Sequence, residues 1–236
     1  TAWCQQQLLP QQNPVKPWLK KALNDLAALQ TTNEVRVASQ RLSLSYIDAV
    51  RASLDQYVVP LLPLLKQGVI HNDANDHNVI VQRTAIDQQQ VAGLIDFGDM
   101  AHSYTVAGLA VAIAYAMLDK TDPLLNATRV VEGYHGVLPL GDDELAVVFP
   151  MACGRLAVSA CMAAVQQEQR PDDSYLSVSQ QPIQRTLPSL LDVHPRFAEA
   201  TFRHACGLTP NPTAMAVGHW PVSYTHLRAH ETSLHL

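Results

Sequence analysis

Three short runs rich in Val and Ile, "GVIH", "NVIV" and "VAGLID", fall within residues 68 to 100, in a chain whose remaining periodic segments have helical spacing. Runs of this length and composition, separated by polar loops, predict short strands. They look like buried strands, and between them the chain crowds His71, Asp73, Asn78, Asp96 and Asp99 among very few Lys or Arg residues. A small β insert carrying a polar cluster, set into a helical body, gives an α+β, mostly helical fold class.

The flanking segments define that body. Residues 15 to 30 and 44 to 58 have helical spacing, the second ending near Pro60 and Pro63. "RTAIDQQQ" is the expected turn between the second and third strands. From Tyr104, "YTVAGLAVAIAYAMLDK" is apolar nearly all round, which predicts a central helix buried on most faces. Asp122 followed by Pro123 reads as an N-cap and first helical position, opening a helix to about Tyr134. "GDDELAVVF" opens the next with acidic residues in its first turn; Pro150 is expected to bend or break it, and "ACGRLAVSACMAAVQQEQ" continues it. A last helix runs through "HPRFAEATFRHACG", with Pro195 near its start and Gly207 past its end. Residues 106 to 118 and 145 to 165 are apolar enough to prompt a membrane check, and both read better as buried core helices.

Composition narrows the partners. The net charge is -5, with sixteen Lys and Arg scattered along the chain, so nucleic acid is not the expected partner and a small nucleotide is the favoured source of any phosphate. Cys4, Cys153, Cys161 and Cys206 lack C-x-x-C spacing and are too sparse for a disulfide framework, which points to a reducing cytoplasm. With 47% hydrophobic residues the chain has ample material for a core.

The ends stand apart. Residues 1 to 14 read as an irregular, Gln-rich segment, and residues 15 to 210 as the folded unit, with its catalytic core at 68 to 100. The start at Thr1, without an initiator Met, suggests a truncated piece. Residues 211 to 236 form a tail in which "VSYTHLRAHETSLHL" resembles translated sequencing-adaptor sequence, so its histidines receive no role as metal ligands. "HETSLH" is in any case one residue too long for the helix that places two His on one face.

Phosphoryl transfer needs a base beside the attacking alcohol and hard oxygen donors that place a divalent ion on the nucleotide phosphates. The cluster divides along those lines: Asp73 as the base, Asn78 and Asp96 as ligands of Mg²⁺ and through it of the nucleotide, and Gly98 to permit a sharp turn after the metal ligand. His71 joins Asp73 among the catalytic candidates, though as a residue that orients the loop more than as a proton carrier. The competing explanation is that Asn and Asp simply favour turns. Asn75, Asp76 and His77 could shape the loop or contact substrate, with shape favoured, and Asp99 is expected to support the metal or lie solvated. His102, Ser103 and Tyr104 could line an acceptor pocket, or Ser103 could cap the following helix. Arg155, inside an apolar helix, should pair with a buried acid or reach the acceptor site, with pairing favoured.

"HNDANDHN" and "IDFGD" resemble the H-x-D-x-x-x-x-N catalytic loop and the I-D-[FW]-G-D metal motif of the aminoglycoside phosphotransferase and choline kinase group, which is protein-kinase-like. Each motif is weak alone, and the two together, each after a Val/Ile strand, are specific. "IHNDANDHNVIV", "GLIDFGDMAHSYTVAGLAVAIAYAML", "EGYHGVLPL", "FPMACGRLAVSACMAA" and "HPRFAEATFRHACGL" are similar to the hydroxylysine kinase branch. They are also similar to the kinase domain that bacteria fuse ahead of a pyridoxal-phosphate aminotransferase-like domain, over approximately residues 68 to 210. The resemblance implies a C-terminal lobe of that fold, and GTP or ATP as donor to a small amino-alcohol such as 5-hydroxylysine, with aminoglycoside or choline- or homoserine-type acceptors as alternatives. It also implies an N-terminal lobe whose Gly-containing loop covers the phosphates and whose strand Lys contacts them. No Gly precedes Gly68, and Lys16, Lys20, Lys21 and Lys66 lie in helical or loop-like contexts. The chain is therefore expected to follow that lobe and to be inactive alone, and a non-catalytic binding module is the reading from outside the enzyme class.

Overall fold

In the computed structural model the structure describes residues 44–83, 88–169 and 180–211. The irregular segment 1 to 14, the helix expected at 15 to 30, part of the turn "RTAIDQQQ" and the tail beyond residue 211 lie outside the described residues.

Six helices make the body among the described residues. They are α1 (Leu44–Tyr57), α2 (Thr105–Ala116), α3 (Pro123–Val137), α4 (Asp142–Gln169), α5 (Gln180–Leu191) and α6 (Pro195–Ala205). The 28-residue α4 is the axis, packed against α1, α2, α5 and α6. Its Leu145, Val147, Val148, Met151, Ala152, Leu156 and Ala157 are all fully buried. Gly154 lets α1 close on it: a Cβ there would stand 3.2 Å from Leu54 Cδ1. Helix α2 is buried on most faces as its composition predicts, through Val106, Ala107, Leu109, Ala110, Val111, Ile113 and Ala114.

Pro150 neither ends nor divides α4. A proline inside a helix removes one backbone donor and crowds the carbonyl four residues earlier. Here the residues on both sides, Phe149 and Met151, are locked in the core, and tertiary burial carries the helix through. An apolar window covering Asp142–Ala163 is long enough to cross a bilayer by length and composition, and 78% of it is buried inside the fold, as a core helix would be. Expected caps elsewhere are present. Asp122 accepts from Leu125 N at 2.9 Å, so α3 begins where predicted, and it runs past Tyr134 to Val137. Gly207, at φ +71, follows the end of α6.

The strands form two antiparallel pairs, β1 (Gln67–Ile70) with β4 (Ala101–Tyr104) and β2 (Val79–Arg83) with β3 (Gln89–Leu94). Strand β4 was not expected, since helical spacing was read from Tyr104 onward; the helix starts one residue later, at Thr105. Ser103 therefore does not cap α2: it lies in β4 opposite Gly68, and the N-cap position is Tyr104, without a side-chain cap. Pairing with β1 extends the backbone here, and Thr105 N donates to Lys66 O at 3.0 Å where strand gives way to helix.

The Val/Ile runs also differ from the expectation of buried strands. Ile70 of β1 is buried, but in the β2–β3 hairpin Ile80, Val81 and Val91 are exposed, Val91 to 66%. Among the described residues the two strands of this hairpin pack chiefly on each other, which leaves their side chains little else to bury against.

Two measurements check this core. Phe202, fully buried and edge-on to Phe149 with ring centroids 6.4 Å apart, leaves a large cavity when replaced. Phe202→Ala should lower unfolding stability in urea by about 3–5 kcal/mol, whereas Val137→Ala, at a residue 87% exposed, should change it by less than about 0.5 kcal/mol. Burial pushes the thiol of Cys153 up to about 12 and that of Cys161 up to about 11. The folded state thus favours the neutral thiols, a contribution present below their ordinary pKa and lost as pH rises towards 11 to 12. Peptide mapping after thiol labelling at pH 8 should find both unmodified in the native protein and modified in denaturant.

Candidate active site

The loop from His71 to Asn78 joins β1 to β2, and residues Ile95 to Met100 join β3 to β4, so the two pairings bring both loops to one place. Val79 stands opposite Leu94 in the ladder, which puts Asn78 and Asp96 at the same end of the hairpin. Ile95 binds the first loop through both backbone groups. Its N–H donates to Asn78 O at 3.0 Å, and its carbonyl accepts from His71 Nε2 at 2.9 Å. Asp96 is the next residue, so its position is set by the loop that carries Asp73.

A carbonyl only accepts, so His71 Nε2 carries the hydrogen, and Nδ1 is left to accept from Asp73 N at 3.4 Å. Both ring nitrogens are spent on backbone, and the ring lies against Phe97 at 5.0 Å between centroids. This is the geometry of an orienting histidine.

Asp73 is held from three directions. Oδ1 accepts from Arg155 Nη2 at 2.8 Å, and Oδ2 accepts from Asn75 Nδ2 and Asn78 Nδ2, each at 3.0 Å. A carboxylate offers about four acceptor positions, so one remains, on Oδ1. Asn78 Nδ2 also donates to Asp73 O at 2.8 Å, so the amide nitrogen faces Asp73 and the amide oxygen, a hard donor, is turned elsewhere. Asn75 shapes the loop and also holds Asp73. Its Oδ1 accepts from His77 N at 2.9 Å and Asn78 N at 3.2 Å while its amide nitrogen grips Asp73. Nothing in its spacing singled it out from the other polar residues of the loop.

The turn after β3 begins at Asp96 itself, at φ 59, whereas the sharp turn was expected to be the work of Gly98. Asp and Asn tolerate that region through local hydrogen bonds, and Gly98 N donates to Asp96 Oδ1 at 3.4 Å. Gly98 is needed for another reason: a Cβ there would come within 3.3 Å of that same oxygen. Asn72, at φ 65, makes the corresponding turn before Asp73. Asp99 closes the short 3₁₀ turn Phe97–Asp99, and Asp76 and His77 are exposed in the first loop. His102 pairs opposite Val69, and Tyr104 is buried, which raises its phenol pKa.

As a place for Mg²⁺, Asn78 and Asp96 supply an amide oxygen and an exposed carboxylate from adjoining loops. Among the described residues no group of three or more His, Cys, Asp or Glu could hold a metal. Two protein oxygens completed by water and phosphate suit Mg²⁺, which keeps several waters and avoids all-protein cages.

Residues 4–142, more than half of the chain, match the profile of the phosphotransferase enzyme family. The chain belongs to that family. Its fold is accordingly protein-kinase-like, and the mostly helical body with small sheets is consistent with it. Curated relatives named hydroxylysine kinase match as well. The protein of Xenopus laevis is 31% identical over 153 residues, covering 62% of this chain and 41% of its own length. That of Mus musculus is 29% identical over 166 residues, covering 68% and 44%, and that of Danio rerio 31% over 134 residues, covering 55% and 38%. The chain thus spans less than half the length of these relatives.

Because Arg155 and Asp73 are both about four-fifths buried, removing either leaves the other without its partner. Asp73→Ala should destabilise the fold by about 1–3 kcal/mol, and Asp73→Ala with Arg155→Met should cost less than the sum of the single changes. Urea unfolding of the four variants in a double-mutant cycle measures the coupling.

Proposed function

We propose that this chain is the part of a small-molecule kinase that supplies the base and the metal ligands, transferring the γ-phosphoryl group of GTP or ATP to the hydroxyl of an amino-alcohol of the 5-hydroxylysine type. One observation carries the reading: the acceptor position left on Asp73 Oδ1 after three donors are counted. An alcohol hydrogen-bonded there is oriented for attack on the γ-phosphorus. As the new P–O bond forms and the bond to the β-phosphate oxygen breaks, the hydroxyl proton passes to Asp73 Oδ1. Asn78 and Asp96 are the residues to hold Mg²⁺, which would neutralise charge on the nucleotide phosphates. His71, Asn72 and Asn75 keep the loop in shape and touch neither substrate. The names of the relatives favour hydroxylysine as acceptor.

This reading makes the chain a C-terminal lobe that works with a nucleotide-gripping lobe. Lys66 is committed elsewhere, donating to Glu144 Oε2 at 3.1 Å and Pro139 O at 3.3 Å, so it is a poor candidate for the phosphate-binding Lys. Ile80, Val81 and Val91 of the hairpin and Ile95 and Phe97 of the loop after it are exposed, and apolar side chains exposed near the site suit such a neighbour.

Full-length protein with Mg²⁺, GTP or ATP and 5-hydroxylysine should form a phosphorylated amino acid, detected by mass spectrometry. Asp73→Asn should lower kcat by about 10²–10⁴-fold. Asp96→Asn should weaken Mg²⁺ binding, raising the Mg²⁺ concentration needed for half-maximal rate. The 236-residue chain alone should give no turnover. Turnover unaffected by Asp73→Asn contradicts the assigned base.

A further inference from the structure

Arg155 lies in the apolar middle of α4 with 23% of its side chain exposed, 82 positions from Asp73 in sequence. Its neighbours Met151, Ala152, Leu156 and Ala157 are fully buried, so a charge is costly there. The cost is only partly offset. Nε is buried and has no hydrogen-bond partner, and the guanidinium reaches its acid through Nη2 alone, in place of the two-pronged grip that makes Arg–carboxylate pairs strong. Among the described residues α2 adds a further contact: Tyr115 Oη lies 3.5 Å from Nη2, the Tyr115 ring centroid is 5.9 Å from the guanidinium carbon, and Tyr115 Oη also bonds Ser159 Oγ at 3.2 Å. Two rigid core helices thus aim one cation at one oxygen of one loop residue.

A pair built for stability alone would be better replaced by apolar side chains that fill the core. What Arg155 supplies that an apolar residue would not is direction. The two Asn amides hold Oδ2 from within the loop that carries Asp73, so they fix the carboxylate only relative to that loop. Arg155 holds the other oxygen from the core helix, so it sets where Oδ1 and its open position stand relative to the helical body.

We propose that Arg155 is a positioning residue for the phosphoryl transfer: it fixes the carboxylate of Asp73 in the rotamer that receives the acceptor hydroxyl, and through α2 and α4 it ties the active-site loop to the helical core. The proposal rests on Asp73 being the group that meets the acceptor.

The test compares Arg155→Met, which keeps the stem and removes the donors, with Arg155→Lys, which restores a charge and a single donor. Both are made in full-length protein and assayed with Mg²⁺, GTP or ATP and 5-hydroxylysine, with Asp73→Asn alongside. Arg155→Met should lower kcat at least tenfold while KM for acceptor and for nucleotide changes less than threefold, and Arg155→Lys should recover part of the loss. An unchanged kcat, or a loss confined to the acceptor KM, overturns the positioning role. A crystal structure of Arg155→Met gives an answer that does not depend on the choice of acceptor: Asp73 should adopt a second rotamer or lose order at Oδ1. An Asp73 carboxylate unmoved in that variant overturns the proposal. If wild-type protein phosphorylates nothing while the carboxylate does move, it is the substrate reading that fails and the positioning contact that stands.

Discussion

The 2.8 Å ion pair between Arg155 and Asp73 joins two parts of the molecule that are built by different physics. Helix α4 exists because its apolar residues bury on four other helices, strongly enough to carry the helix through Pro150. The loop from His71 to Asn78 has no such core, and its shape comes from polar bonds: His71 to Ile95, Asn75 to its own loop backbone, Asn78 back to Asp73. Polar bonds of this kind fix angles well but contribute little net stability each. Fastening the loop to the core through Arg155 gives the carboxylate the rigidity of the helices.

The same division explains how the two halves of the cluster meet. Asp73 and Asp96 come from different loops, and their relation is set by one residue, Ile95, whose N–H and carbonyl are both bonded to the first loop. Left-handed turns at Asn72 and Asp96 then direct the chain at each loop. Membership of the phosphotransferase family accords with this arrangement, and the exposed hairpin beside it marks a surface with apolar side chains and no cover among the described residues.

Much of this was legible in the sequence. The short Val/Ile runs gave three strands near their observed places, Asp122–Pro123 marked the start of α3, and the full apolarity around residues 105 to 116 foretold the burial of α2. Where the reading went astray, tertiary context had overridden a local rule. Strand β4 is short and leads straight into α2, so its extended backbone comes from pairing with β1 and is not visible in periodicity. The hairpin strands look buried because Val and Ile suit a pleated backbone as well as a core. Pro150 is tolerated because what surrounds it is fully packed. Within the site, residue types pointed to Asp73, Asn78 and Asp96, and Arg155 stood out as a charge in an apolar helix. That the acid it pairs with is Asp73 depends on a contact across 82 positions, which spacing does not encode.

The most direct test is a crystal structure of the full-length protein with Mg²⁺, a non-hydrolysable nucleotide and 5-hydroxylysine. The account predicts the acceptor hydroxyl within hydrogen-bond distance of Asp73 Oδ1, Arg155 Nη2 still on that oxygen, and the metal bound by the amide oxygen of Asn78 and the carboxylate of Asp96. An acceptor hydroxyl bound away from Asp73, or a metal held without Asn78 and Asp96, would contradict it.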